Sequence, residues 1–98
     1  MIRHTVFWKF SPDVIDPEEQ VEAMRLRFRA LKSSCPGFLD VFVEPTLPGS
    51  THDLVISCLF TDQEALDAYQ FHPGRLALRA ESTLFLTDRA CADWISDL

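Results

Sequence analysis

Glycine is scarce, and that excludes a good deal. The 98 residues hold three glycines, and neither G-x-G-x-x-G nor G-x-x-x-x-G-K occurs. A phosphate cradle needs glycines spaced so that backbone N–H groups can approach the anion, so no nucleotide cofactor is expected. There is no G-x-S-x-G elbow, which removes the common serine-hydrolase arrangement. Cys35, Cys58 and Cys91 lie far apart, with no C-x-x-C and no Cys/His run of zinc spacing. They are expected to be reduced thiols serving as small core residues. Basic residues are few: 9 Lys and Arg stand against 15 Asp and Glu, for a net charge of −6. That balance argues against nucleic-acid or anionic-membrane partners. Neither a secretory leader nor an apolar run long enough to span a bilayer is evident, so a cytoplasmic protein is expected.

What the chain does have is apolar surface. Hydrophobic residues make up 47%, eight of them Phe. The length suits one domain over residues 1–98, and a domain of this size buries only a little over ~60% of its unfolded surface. So much apolar material points to an internal pocket or a self-association surface.

Residues Ile2 to Phe10 read as a strand. Ile2, His4, Val6, Trp8 and Phe10 face one way, and Arg3, Thr5, Phe7 and Lys9 the other. Asp16-Pro17-Glu18-Glu19 signals a helix start, with Asp16 as N-cap and Pro17 in the first turn. Val21, Met24, Phe28, Leu31 and Cys35 then form one apolar stripe, ended by Pro36-Gly37. Arg25, Arg27 and Arg29 share this helix with Glu18, Glu19 and Glu22, as on a solvated face. A second strand runs from Phe38 to Val43, with Phe38 and Phe42 on one face and Leu39, Val41 and Val43 on the other. After the turn-rich Pro45–Ser50 segment comes a third strand, Leu54 to Phe60. Thr61-Asp62-Gln63-Glu64 opens a second helix that reaches Phe71-His72, where Pro73 breaks or restarts it. Leu76 to Phe85 reads as helical again, and Arg89 to Ile95 as the last strand.

This order is the α+β, ferredoxin-like βαββαβ arrangement: a four-stranded antiparallel sheet with two helices on one face. The other face would leave Thr5, Phe7 and their neighbours exposed. A homodimer packed through that open sheet face is the expected assembly.

Few titratable groups would face the interior. His4, among Ile2, Val6 and Trp8, is either a neutral base in a pocket or a core histidine satisfied by a carbonyl or by Tyr69. Tyr69, the only tyrosine, either contacts a ligand or makes a structural hydrogen bond. His72 either lines the pocket or caps the restarted helix. Arg75 either holds a ligand carboxylate or pairs with a surface acid. Trp8 and Phe28 lie at the sheet–helix interface, as core or as pocket walls. Asp93 reads as a strand-end carboxylate paired with Arg89 or Arg3. Nothing in the spacing of His4, His72 and the acids requires a metal.

Several segments together resemble one known family. They are Ile2-Arg3-His4-x-Val6-Phe7-Trp8-Lys9-Phe10, Pro36-Gly37-Phe38, Asp53-Leu54-Val55, Ala65-Leu66-x-Ala68-Tyr69-Gln70-x-His72-Pro73 and Arg89-Ala90-x-Ala92-Asp93-Trp94. On these the chain resembles the stress-responsive dimeric α/β-barrel (Dabb) family across nearly its whole length. The resemblance implies a ferredoxin-like protomer and a homodimer whose sheets form a barrel. It does not imply one activity: some plant members are stress-associated structural proteins, and one is a polyketide cyclase, olivetolic acid cyclase, that closes an aromatic ring by aldol chemistry. His4 matches a pocket histidine of that cyclase, and Tyr69 its pocket tyrosine. The histidine that acts as its base is replaced here by Arg75, and a guanidinium cannot be a general base at neutral pH. His52 falls two residues before another cyclase histidine, in the loop. Cofactor-independent oxygenases of quinols share the fold.

Three functions therefore stand open: a cofactor-free enzyme or binder for a small apolar, oxygenated molecule; a structural, stress-associated homodimer; and a cofactor-independent monooxygenase.

Overall fold

The computed structural model describes residues 1–97. Its elements are β1 (Ile2–Phe10), α1 (Pro17–Ser34), β2 (Phe38–Pro45), β3 (Leu54–Phe60), α2 (Gln63–Phe71), α3 (Pro73–Ser82) and β4 (Leu86–Ile95). The strands form one sheet in the order β2-β3-β1-β4, antiparallel throughout. This is the ferredoxin-like arrangement, with β1 and β3 central.

Local chemistry sets the helix boundaries. The Asp16 carboxylate accepts a hydrogen bond from Glu19 N at 3.1 Å, and Pro17 begins α1. Asp62 caps α2 in the same way, accepting from Ala65 N at 2.9 Å. These caps satisfy backbone donors that lack a partner within the helix. The α1 stripe of Val21, Met24, Phe28 and Leu31 is buried in one cluster with Ile56, Cys58 and Phe60 of β3. On its outer side Arg25 pairs with Glu22 and Glu44, and Arg27 with Glu81.

Several sequence expectations need correction. The helical arm after β3 breaks at Pro73 as expected, but α3 begins at Pro73 itself rather than at Leu76, so three helices rather than two cover the sheet. Helix α3 ends at Ser82, which lets β4 start at Leu86 opposite Phe10 rather than at Arg89. β2 does not alternate evenly. Phe38 pairs with Phe60 and Asp40 with Leu59, so Leu39 is an extra residue in a bulge. The bulge reverses the parity and puts Phe38, Val41 and Val43 together on the helix side, with Phe42 on the open face. Thr5 is not exposed. It is 6% accessible, sunk between longer neighbours and hydrogen-bonded to Ser57 Oγ at 3.0 Å. Phe7, Phe42 and Trp94 remain exposed. Cys35 and Cys58 are buried as expected, but Cys91 is exposed because no helix covers β4 at that point.

The turn between α1 and β2 is tightly constrained. Gly37 has φ +79°, and a Cβ there would lie 2.6 Å from Ala65 Cβ and 2.7 Å from Thr61 Oγ1. Its carbonyl accepts from Thr61 N at 2.9 Å, joining this turn to the start of α2. Gly37→Ala therefore meets both strain and a clash, and should cost about 1–3 kcal/mol. Urea unfolding measures this; an unchanged midpoint would mean that the junction relaxes freely.

Candidate functional site

Between the helix-side face of the sheet and α1, α2 and α3 lies a cavity of about 30 Å³, enough for about one water molecule. β1 contributes His4 and Trp8, α1 Phe28, α2 Tyr69 and α3 Arg75, so five of the six candidate residues line one space. Arg79 and Arg89 also line it, and sequence reasoning singled out neither for the site.

His4 is 2% exposed. Directly across the β1–β4 ladder stands Asp93, and its Oδ1 makes a close contact with His4 Nδ1. A carboxylate only accepts, so Nδ1 carries the proton and donates it. That fixes the tautomer, leaving Nε2 with its lone pair when the ring is neutral. Nε2 is buried and has no hydrogen-bond partner among the described residues. The expected pairing of Asp93 with Arg89 or Arg3 is corrected here: its partner is His4. Asp93 was missed as a site residue because the two lie 89 positions apart. The available signal was alternation on β4, which puts Arg89, Cys91, Asp93 and Ile95 on one face.

Tyr69 is 2% exposed, and its hydroxyl accepts from Arg75 Nε at 3.1 Å. The guanidinium also sits 5.4 Å from the Tyr69 ring centroid. The Tyr69 ring meets His4 edge-on with centroids 6.2 Å apart. Arg75 is only 8% exposed and forms no ion pair with a carboxylate among the described residues. A buried cation without a counter-ion is costly, and here the Tyr69 hydroxyl is its hydrogen-bonded partner. Burial pushes the Cys58 thiol up to about 12, against a smaller lowering from the Tyr69 hydroxyl, and burial together with the nearby Cys58 raises the Tyr69 phenol above its ordinary value. Both are neutral in the folded protein, so neither is a ready nucleophile or base.

His72 lies outside this cavity. Its Nδ1 accepts from Gly74 N at 3.0 Å, capping α3, and its ring borders a different depression with Leu31 and Leu78. The helix break aims the imidazole at its own backbone rather than at His4. His52 stands in the β2–β3 loop, with its Nε2 3.1 Å from the Asp88 carbonyl oxygen.

The family model for the stress responsive A/B barrel domain matches residues 2–96. The chain belongs to that family. Solved structures agree on the fold of this A/B barrel domain. A dimeric ferredoxin-like protein of unknown function from Thermobifida fusca YX superposes with a TM-score of 0.81 at 23% identity, covering 97% of this chain and 90% of that one. A Dabb family protein from Mesorhizobium loti gives 0.75 at 22% identity, covering 97% and 95%. SnoaB, a cofactor-independent oxygenase from Streptomyces nogalater, gives 0.76 at 14% identity, covering 99% and 93%. No curated protein matches the sequence.

The buried acids make stability depend on alkaline pH. In the unfolded chain Cys58 ionises near its ordinary 9.0 and Tyr69 near 10.0, whereas both resist ionisation when folded. Their contribution is complete below those values and is lost as pH rises towards the folded ones. Stability should fall above about pH 9, by about 1.4 kcal/mol per pH unit for each ionising group. Thermal melting between neutral and strongly alkaline pH measures this, and Tyr69→Phe should flatten the decline; an equally steep decline in that variant would place its origin elsewhere.

Proposed function

We propose that this A/B barrel protein is a homodimer that binds a small apolar, oxygenated molecule, aromatic or polyketide-like, beside His4 and removes a proton from it without a cofactor. One observation carries the reading: buried His4, whose Nε2 has no partner among the described residues, lines the same cavity as the buried Arg75, which forms no ion pair with a carboxylate among them.

The chemistry follows from those groups. Nε2 takes a proton from an acidic O–H or an activated C–H, and the imidazolium that forms is stabilised by Asp93 on Nδ1. Arg75, steadied by Tyr69, stands ready for the negative charge that develops on the substrate oxygen. Trp8 and Phe28 supply apolar walls. In this arrangement His4 takes the role of base, and the arginine at position 75 is an anion holder. Ring closure by an aldol step and direct attack on molecular oxygen both begin from such an anion. The second route is compatible with the similarity to a cofactor-independent oxygenase.

A ring-sized ligand needs more than about 30 Å³, so α3 has to move outward. The buried residues of α3 are Arg75, Leu78 and Ser82, only one of them apolar, which makes it the weakly held wall. The cavity's small size is also what a purely structural homodimer would show, and that is the second reading. For assembly, the exposed Phe7, Phe42 and Trp94 on the open sheet face supply the apolar contact, and dimeric neighbours of the same fold support it.

Three measurements test these readings. The anionic naphthalene dye ANS should bind the native protein at one molecule per protomer, and Arg75→Met should weaken it about tenfold. Asp93→Asn should leave dye binding intact while slowing any proton abstraction by about 10²–10⁴, read as oxygen uptake across a panel of hydroquinones or as cyclised product. No dye binding and no turnover would favour the structural reading. Phe7→Asp should convert the dimer seen by native mass spectrometry to monomer or insoluble protein; an unchanged dimer would place the interface elsewhere.

A further inference from the structure

Cys91 is used by neither reading, yet it stands beside the His4–Asp93 pair. Its Sγ lies 3.6 Å from His4 Nδ1 and 3.9 Å from Asp93 Oδ1, and one ligand atom from each of the three fits within 4.8 Å. We propose that His4, Cys91 and Asp93 form a binding site for a thiophilic divalent cation of the zinc type.

The placement is that of a three-ligand site. Cys91 and Asp93 are two apart on β4 and so share one face, and His4 is the cross-strand partner of Asp93. With ordinary zinc–nitrogen and zinc–sulfur bonds, a tetrahedral ion holds its N and S ligands about 3.6 Å apart, which the His4–Cys91 distance already matches. Asp93 is too near Nδ1 for an ion to fit between them, and its carboxylate, 44% exposed, has freedom to swing aside. The donor set of imidazole, thiolate and carboxylate suits zinc or cobalt and disfavours magnesium or calcium. Solvent reaches the trio through the exposed Cys91, leaving a fourth position open to water.

Binding releases the thiol proton to solvent, and the single proton of the neutral imidazole leaves Nδ1 and is returned, by way of solvent, to Nε2. The imidazole proton then resides on Nε2, so an occupied site turns that nitrogen from acceptor to donor. Metal and general base are thus alternative uses of one residue, and the metal site stands whether or not His4 acts as a base.

Cobalt titration of the reduced full-length protein is the test. The expected result is a cobalt–thiolate charge-transfer band that saturates at one Co²⁺ per protomer and is abolished by excess Zn²⁺. Cys91→Ser should remove the band, and Asp93→Asn should weaken binding about tenfold or more. Both side chains are exposed, and circular dichroism checks that the variants keep the fold. Absence of a saturable band, or a band that survives in Cys91→Ser, would overturn the assignment.

Discussion

The register between β1 and β4 is the constraint on which the site depends. His4 sits at 2% exposure in a central strand, where its two nitrogens need partners that an apolar interior does not supply. The ladder brings Asp93 directly opposite. A slip of one residue would turn Asp93 to the other face and leave a buried imidazole with two unmet nitrogens. The tautomer of His4, the accessibility of Cys91 and the position of Arg89 at the cavity all follow from that pairing. A bulge helps to hold it: the ladder shifts between Phe7 and Lys9, and Asp88 adopts φ 56° in the β4 segment opposite.

Much of the fold was legible in local signals. Asp16-Pro17 and Asp62 announce helices because a carboxylate at that position meets backbone N–H groups wherever the chain goes next. The alternation of Ile2, His4, Val6 and Trp8 sorted β1 correctly, since no extra residue interrupts its pairing with β3. Position 39 defeated the same logic on β2: an inserted residue reverses parity, and nothing in Phe38-Leu39-Asp40 marks it. The cavity walls could be foreseen from helical and strand periodicity, whereas the carboxylate that orients His4 could not. Which residue on β4 faces which on β1 depends on where the last helix stops, and α3 stops at Ser82, three residues earlier than the apolar pattern implied.

The interior is organised by opposing demands on a small domain. Its helices cover one face of the sheet, yet β4 is left almost bare even on that side. The polar groups therefore collect where cover thins, along the border between β1 and β4. Tyr69 lies deeper, against Phe38 and Phe60, and supplies the single hydroxyl that holds Arg75. Burying an arginine that has no carboxylate partner among the described residues lowers stability.

The junction at Gly37 also sets where the molecule bends. Its close approach to Ala65 and Thr61 pins the first turn of α2 to the end of α1, and no side chain can be inserted there. At the other end of the same arm, α2 and α3 are joined by His72 and Pro73, where the backbone hydrogen-bond ladder is interrupted. The arm thus resembles a beam clamped at one end and jointed near its middle. Thermal motion is channelled into rotation of the outer segment about the joint, with the Ser82 end sweeping the wider arc and Arg75, close to the joint, turning nearly in place beside Tyr69.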